Sequence, residues 1–539
     1  MRTLVRSFPD RLFTTIVFSA FGVAASASAQ TQPSNAPALP ATPPVAAPAN
    51  PPSKQAAGAD ATPSQALTLK QALEQAVQGN VDLRRERIAI ETVDARLESA
   101  RGFFDVNLTT NATFSRSTRP SLGVQDIQAG STDRSQIDLG LARNLETGGA
   151  LSLGIGATRS ETNSPLACGM LVMSNMVCNV YDTRVSLNLT QPLLQGFGPS
   201  FALADVRRQA VQKDQALLQR QMRASLVLRD VVNTYWNLAY ATQDLAIRRS
   251  AVDLAREQLR VTQAQIEVGR SAPVDAAAVE RAIGERMQEV LLSEQELLFR
   301  TLELRRFFGQ PVNPGAPLFA AADAPQDSGS TVDTAQEIAR ALASNPQLKQ
   351  LQLGLKLSDI DLAVARSTLL PTLDLVGSVG AGGVKRDLEE SFEQTFDFEA
   401  RSYSIGLRFQ LPIQNRIAGG QYRAAKAGAE LTSLNAADYE TELRYQVQRL
   451  ASNVRTASKR LELAKATVGF ANQNLEAEKA RFSVGRSTNN EVLRVQQEAK
   501  NAEIQVVRAT VDLLIGQTSL RALTGDLLDH YSVKLQGTP

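Results

Sequence analysis

The chain has 539 residues and a formal net charge of +2, long enough for two or three ordinary domains and too nearly neutral to favour nucleic acid as a partner. One histidine and two cysteines exclude a histidine-dependent catalytic triad, no GxxxxGK[ST] loop offers a nucleotide site, and neither a metal nor any other cofactor is expected. Aromatics are only 5% while Ala, Leu, Gln, Arg and Glu dominate the second half, a composition that suits long helices more than a large globular core.

Residues 1–29 read as a secretory signal: Arg2, Arg6 and Arg11 surround the start of an apolar run at 12–25, and Ala27-Ser28-Ala29 has the small-x-small form of a cleavage site. The run is shorter than the roughly 20 residues a spanning helix needs, and no cysteine near the cleavage site offers a lipid anchor. Residues 30–66 are rich in Pro and Ala and are expected to form a disordered tether.

From there the chain says the same thing twice. Residues 71–101 align without a gap to 336–366, with eight identities in 31 positions, among them Asn80/Asn345, Asp94/Asp359 and Arg101/Arg366. Further on, Gln191-Pro192-Leu193 answers Leu411-Pro412-Ile413, and Val268-Gly269-Arg270-Ser271 answers Val484-Gly485-Arg486-Ser487. Landmarks kept in order mark a duplication: a first repeat at 67–325, a second at 326–528, and a C-terminal tail at 529–539 that holds the single histidine, His530. The offset between the copies falls from 265 at Ala100 to 220 at Pro192 and 216 at the glycines, so about 45 extra residues sit in the first copy between Ala100 and Pro192.

Within each repeat, strands precede helices. In the first, between about 103 and 192, segments 106–114, 137–141, 151–155 and 185–189 alternate apolar with polar or small residues; in the second, between about 370 and 413, segments 373–375 and 405–411 do likewise. Period two marks a strand with two unlike faces, and Glu146-Thr147-Gly148-Gly149 marks a tight turn. Either the apolar face packs inward in a small sandwich, or it faces lipid in a membrane barrel. Four to six strands fall short of the roughly eight of the smallest membrane barrels, and lipid forbids raw sheet edges. A membrane reading therefore requires several copies to share one barrel. Cys168 and Cys178, ten apart in a loop of this region, are expected to pair in an oxidising compartment.

The remainder of each repeat is helix. Residues 203–267 and 418–483 contain no proline; Leu443, Val447, Leu450, Val454, Ala457 and Leu461 open a 4-3-4-3 apolar row, and Val231, Leu238, Leu245, Val252 and Leu259 recur at sevens. Such a repeat requires a neighbouring helix along its length. Each rod reverses at a Val-Gly-Arg tip and returns, giving antiparallel hairpins at about 200–308 and 417–525. Tyr235 and Trp236 sit among the apolar positions and are expected to pack.

In this order the chain resembles the TolC-like outer-membrane efflux proteins. The resemblance runs from about Leu67 to Leu528 and is borne by QGNVDL and ASNPQL around Asn80 and Asn345, LLPTLDL at 369–375, QPLLQG, LPIQN, VNTYWNLAYA at 232–241, and the paired VGRS tips. It implies a mainly α fold with β: a duplicated unit of helix, strand pair and long coiled-coil hairpin. A homotrimer would share an outer-membrane β-barrel embedded in lipid and continued by a periplasmic α-helical barrel. It implies no enzyme, but a passive exit duct of a tripartite efflux or type I secretion system, docking to a periplasmic adaptor (membrane fusion protein) and an inner-membrane pump. Val268, Gly269, Arg270 and Ser271, with Val484, Gly485, Arg486 and Ser487, would then be the docking tips, and the helices just beyond them a closable aperture. The chain departs from the family pattern in its extra first-copy residues, which suggest six strands instead of four. It departs again in Glu491 and Arg494, where two acidic residues often stand, and in Phe482, where a tyrosine often stands. Three copies of Glu491 would make a carboxylate ring, unless Arg494 neutralises it or both are ordinary solvated residues. Asp275, matching Glu491 in the first copy, is a gate candidate together with Glu491, Arg494 and Phe482, and is expected to serve more as a helix N-cap than in the gate. The competing readings are a periplasmic coiled-coil adaptor or scaffold without a barrel, and an exported enzyme on a helical scaffold.

Overall fold

A computed structural model of the chain describes residues 64–122, 127–162, 178–269, 271–313, 315–326, 329 and 332–533. The expected signal, the tether as far as residue 63, Cys168 and Arg270 lie outside them.

Strand β1 (Ser64–Leu67) leads into helices α1 (Leu69–Gly79) and α2 (Val81–Arg101). Asn80 makes the break between the helices. Its Oδ1 accepts the N–H groups of Asp82 (2.9 Å) and Leu83 (3.3 Å), which caps α2, and its Nδ2 donates to the Phe307 carbonyl at 3.1 Å. Four strands follow, β2 (Asn107–Leu122), β3 (Ile127–Asn144), β4 (Ala150–Thr162) and β5 (Cys178–Pro192). The predicted tight turn joins β3 to β4, with Gly148 at φ +88° and the Leu145 N–H on the Gly149 carbonyl at 2.7 Å. A short helix α3 (Pro199–Ala202) opens α4 (Ala204–Glu267), whose 64 residues make a rod of about 100 Å. Helix α5 (Pro273–Phe307) returns, and β6 (Leu318–Ala321) pairs in parallel with β1.

The second pass repeats the plan: α6 (Thr334–Ser344), α7 (Pro346–Ser367), β7 (Thr372–Lys385), a short α8 (Leu388–Phe396), β8 (Ala400–Gln410), α9 (Arg416–Ser483), α10 (Asn489–Thr524) and a final turn α11 (Leu527–His530). Asn345 does what Asn80 does, accepting the Leu348 N–H at 2.9 Å and donating to the Leu523 carbonyl at 2.8 Å. Gly309 and Gly525 likewise end the two return helices at φ +66° and +87°. A Cβ there would lie 2.3 Å from the Gly79 carbonyl oxygen in the first copy and 2.8 Å from that of Ser344 in the second. The duplication is thus a repeated joint, in which a return helix docks on the start of its own repeat.

Among the described residues the long strands form one antiparallel sheet in the order β2-β3-β4-β5-β7-β8. Register sets its two faces apart. One row runs Leu108, Leu141, Leu153, Leu187, Val379, Tyr403 across all six strands, and each of these side chains is exposed. One residue further, the opposite face runs Thr109, Gly140, Gly154, Ser186, Gly380, Ser402. Helix α8 covers only the patch at Ala157, Thr183 and Ala381; elsewhere the apolar face stays open from strand to strand, which contradicts the sandwich that would have buried it.

Packing below the sheet is helix on helix. Helices α2, α4, α7 and α9 lie side by side near the strands, and α5, α4, α10 and α9 do so toward the tips. The predicted heptad positions fill the seams, with Val231, Leu238, Leu245 and Val252 of α4 and Leu443, Val447, Val454 and Leu461 of α9 all buried. The largest core joins α1, α4, α5, the β1–β6 pair and α11 around Tyr235, whose buried hydroxyl donates to the Asp323 carboxylate at 2.7 Å. Trp236 packs against that core from outside.

Candidate functional site

Both hairpins end on the same side of the molecule. Gly269 and Gly485 reverse the chain at φ +71° and +74°, with nothing within 4 Å of a Cβ at either. Only glycine adopts this left-handed turn without strain. Val268 and Val484 are exposed to the same extent, 68%. An aliphatic side chain so bare at an apex is left largely uncovered by the described residues of its own chain. The matching serines turn back instead of outward. Ser271 Oγ donates to Gln265 Oε1 at 3.1 Å, and Ser487 Oγ to the buried Glu478 carboxylate, so each closes its own loop. Arg486 is exposed, and its backbone N–H takes the Arg481 carbonyl at 2.9 Å. Phe482 is half-buried.

Just beyond the second tip, Thr488 caps α10 with its hydroxyl on the Glu491 N–H at 3.4 Å. Glu491 accepts two bonds from the Arg494 guanidinium, one of them Nε to Oε2 at 3.0 Å, and Arg494 also reaches Glu498. Hydrogen bonding and charge from Arg494 hold the Glu491 carboxyl below the usual carboxylate range, and Glu491 raises Arg494 in turn. Within one chain Arg494 therefore offsets part of the acidity expected here. In the first copy Asp275 is not the N-cap: Ala272 occupies that position, and Asp275, three residues in, accepts the Ala272 N–H at 3.0 Å. This is the reciprocal half of a capping box, a carboxylate at the third helical position reaching back to the N-cap N–H, with Pro273 at the first.

The two tips are bound to each other through groups that no motif announced. Asn489 is buried at the start of α10, and its Oδ1 accepts from Gln258 Nε2 at 2.7 Å and from Thr262 Oγ1 at 3.1 Å, both on α4. Two turns deeper, the buried Arg286 of α5 donates to the Ala251 carbonyl of α4 at 2.8 Å and the Leu493 carbonyl of α10 at 3.3 Å. Burial pushes this guanidinium below its ordinary pKa. The signal was present in α4, where Ala251, Ala255, Gln258 and Thr262 are all buried at 4-3-4 spacing. Read as one stripe, its two polar members demand a polar partner on the helix opposite.

This architecture agrees with the comparisons to known proteins. The family model described as outer membrane efflux protein matches residues 150–310 and 338–526, one stretch in each repeat. The chain belongs to the outer membrane efflux protein family. Its relatives include outer membrane protein TolC of Vibrio cholerae, 25% identical over 353 residues (64% of this chain, 77% of that protein). They also include alkaline protease secretion protein AprF of Pseudomonas aeruginosa, 24% identical over 362 residues (66% and 72%). The CusC crystal structure covers 87% of this chain and 95% of its own at a TM-score of 0.60, with 13% identity, and shares the fold. As a member of this efflux family the chain resides in the outer membrane, with its helical part in the periplasm. The six-stranded sheet is then its membrane end and the paired tips its periplasmic end.

Proposed function

We propose that three copies of this outer-membrane efflux protein close one duct, with each copy supplying a third of the barrel wall and a third of the helical tunnel. The observation that carries this reading is the exposed apolar row across the sheet, with small and polar residues behind it. Such a sheet faces lipid on one side and water on the other, and its two edge strands have no place in hydrocarbon until another copy covers them. A periplasmic adaptor without a barrel has no use for that row.

The tips are the docking surface for a periplasmic adaptor, itself coupled to an inner-membrane pump. What supports this is the bareness of Val268 and Val484 on two like apices of one face. The aperture lies one to two turns beyond, at Glu491 and Arg494 on the surface and at Gln258, Thr262 and Asn489 in the seam that must part when it opens. Phe482 flanks it, and Asp275 braces the first tip. No catalytic step is assigned; energy comes from the pump. Residues 67–325 and 326–528 act as the two repeats, and Cys168 pairs with Cys178, which stands at the start of β5 instead of in a loop.

Substitution of Gly485 by Trp tests docking. The apex is open around that position but its φ of +74° strains any side chain, so Gly485→Ala, which carries the same strain, is the control: both variants should form trimers and insert, and only Gly485→Trp should fail in export through the complete system. Normal export by Gly485→Trp would remove the second tip from the docking surface.

A further inference from the structure

We infer that the β3–β4 hairpin is an integral part of the membrane wall, so that three copies close a barrel of 18 strands as wide as the helical tunnel beneath it. This rests on the duct reading above and concerns the width of its lumen.

Strand order is the first support. β2 pairs with β3 from Asn107↔Ala142 to Leu122↔Ile127, β3 with β4 from Asn144↔Ala150 to Thr132↔Thr162, and β4 with β5 from Ala150↔Thr190 to Thr162↔Cys178. Nowhere does β2 touch β5 in the ladder. A hairpin standing clear of the wall would leave those two strands side by side.

Chemistry of the faces is the second. Ile137, Leu139, Leu141, Leu153 and Ile155 continue the apolar face of β5 and β7 without a break. In water these side chains would form a bare patch, whereas in the wall they meet acyl chains. The opposite face stays wet across the hairpin, where Asp138 and Arg184 make an ion pair at 2.6 Å over Gly156. Helix α8 does not enter the lumen: Thr395 and Ser391 bond Thr183 and the Gly383 carbonyl, which belong to the apolar face.

Closure is the third. The free edges are β2 and β8, and on β8 Tyr403, Ile405, Leu407 and Phe409 are 62–85% exposed. An even number of antiparallel strands means that β8 of one copy meets β2 of the next with the alternation kept. Three six-stranded sheets make 18 strands. At strand spacing near 4.8 Å and tilt of about 40°, that ring is roughly 36 Å across, against roughly 24 Å for four strands per copy. Four helices per copy at each level, spaced at about 9 Å, make a tunnel roughly 35 Å across. Measured between helix axes and strand backbones, the 18-strand ring sits on the helical ring at matching width.

The test uses cysteine pairs in a Cys168→Ser, Cys178→Ser background, oxidised in intact membranes. Leu153→Cys with Leu187→Cys face one another across β4 and β5 and should bridge. Leu108→Cys with Leu187→Cys lie three strand spacings apart, roughly 14 Å, and should not. Ile405→Cys combined in turn with Leu108→Cys, Thr110→Cys and Ala112→Cys should give chain-to-chain bridges at one of the three positions. Because a doubly substituted background can fail to assemble, unmodified protein imaged in nanodiscs gives a second reading, a ring of roughly 36 Å in the membrane section. An intramolecular 108–187 bridge, or a ring of roughly 24 Å, in material that is trimeric by mass would overturn the 18-strand wall and leave the duct standing. Monomeric material that washes out of the membrane would overturn the duct itself, and the wall with it.

Discussion

The Asn489→Ala variant probes how the two tips are held together. The side chain sits in the seam between α4 and α10 and gives Gln258 its acceptor at 2.7 Å. Thr262 keeps an alternative, the Gln258 carbonyl at 2.8 Å on its own helix, so the substitution strands the Gln258 amide alone. Leaving one buried donor without a partner costs about 1–3 kcal/mol. All of that cost falls on the state in which the tips are together, because water serves Gln258 once they part. At 1.4 kcal/mol per factor of ten, the open form gains about five- to 150-fold. Reconstituted trimers in planar bilayers should therefore show longer and more frequent high-conductance openings, and cells carrying the variant should admit large antibiotics. Gln258→Ala should have a smaller effect, since Asn489 Oδ1 keeps the Thr262 hydroxyl at 3.1 Å, and the double variant should open less than Asn489→Ala alone because it strands no donor. An unchanged open fraction in Asn489→Ala trimers of normal thermal stability would refute the assignment of this seam to the aperture.

Three further outcomes follow from the same geometry. Arg494→Gln should free Glu491 and raise cation selectivity, read as a shifted reversal potential across a KCl gradient; no shift would remove the pair from the aperture. In the unsubstituted protein the hydrogen bond from Arg494 holds the Glu491 carboxyl below the ordinary carboxylate range, so its pairing is intact throughout that range and is lost only as pH falls through the lowered pKa. Selectivity should accordingly stay flat from neutral pH down to about 4.5 and change below it. Gly309→Ala and Gly525→Ala should each lower the thermal midpoint, since a left-handed alanine costs roughly 1 kcal/mol before any clash. Gly309→Ala should be the worse of the two, because its Cβ meets a carbonyl oxygen at 2.3 Å rather than 2.8 Å; the reverse order would contradict the repeated joint.

Much of this was legible in the chain because it is a matter of period and position. A period of two in segments such as 137–141 and 151–155 can only become a two-faced strand, and sevens from Val231 to Leu259 only a packed rod. Glycines such as Gly148, Gly269 and Gly485 mark reversals because the left-handed backbone strains other residues, and only Phe398, Asn415 and Ser532 adopt it among the described non-glycine residues. Asp275 stands three places after the N-cap because the helix starts at Pro273, and a capping carboxylate works from either end of the first turn.

What sequence alone determined is therefore local: two repeats, their strands and rods, and the tips between them. The tertiary structure decided which face of the sheet stays bare, that the additional hairpin enters the sheet instead of leaving it, and that Asn489 meets Gln258 and Thr262, 227 to 231 residues away. Those outcomes depend on which elements become neighbours. Neighbour choice is set by competition among many weak pairings across the whole chain, and no periodicity within a single segment encodes it.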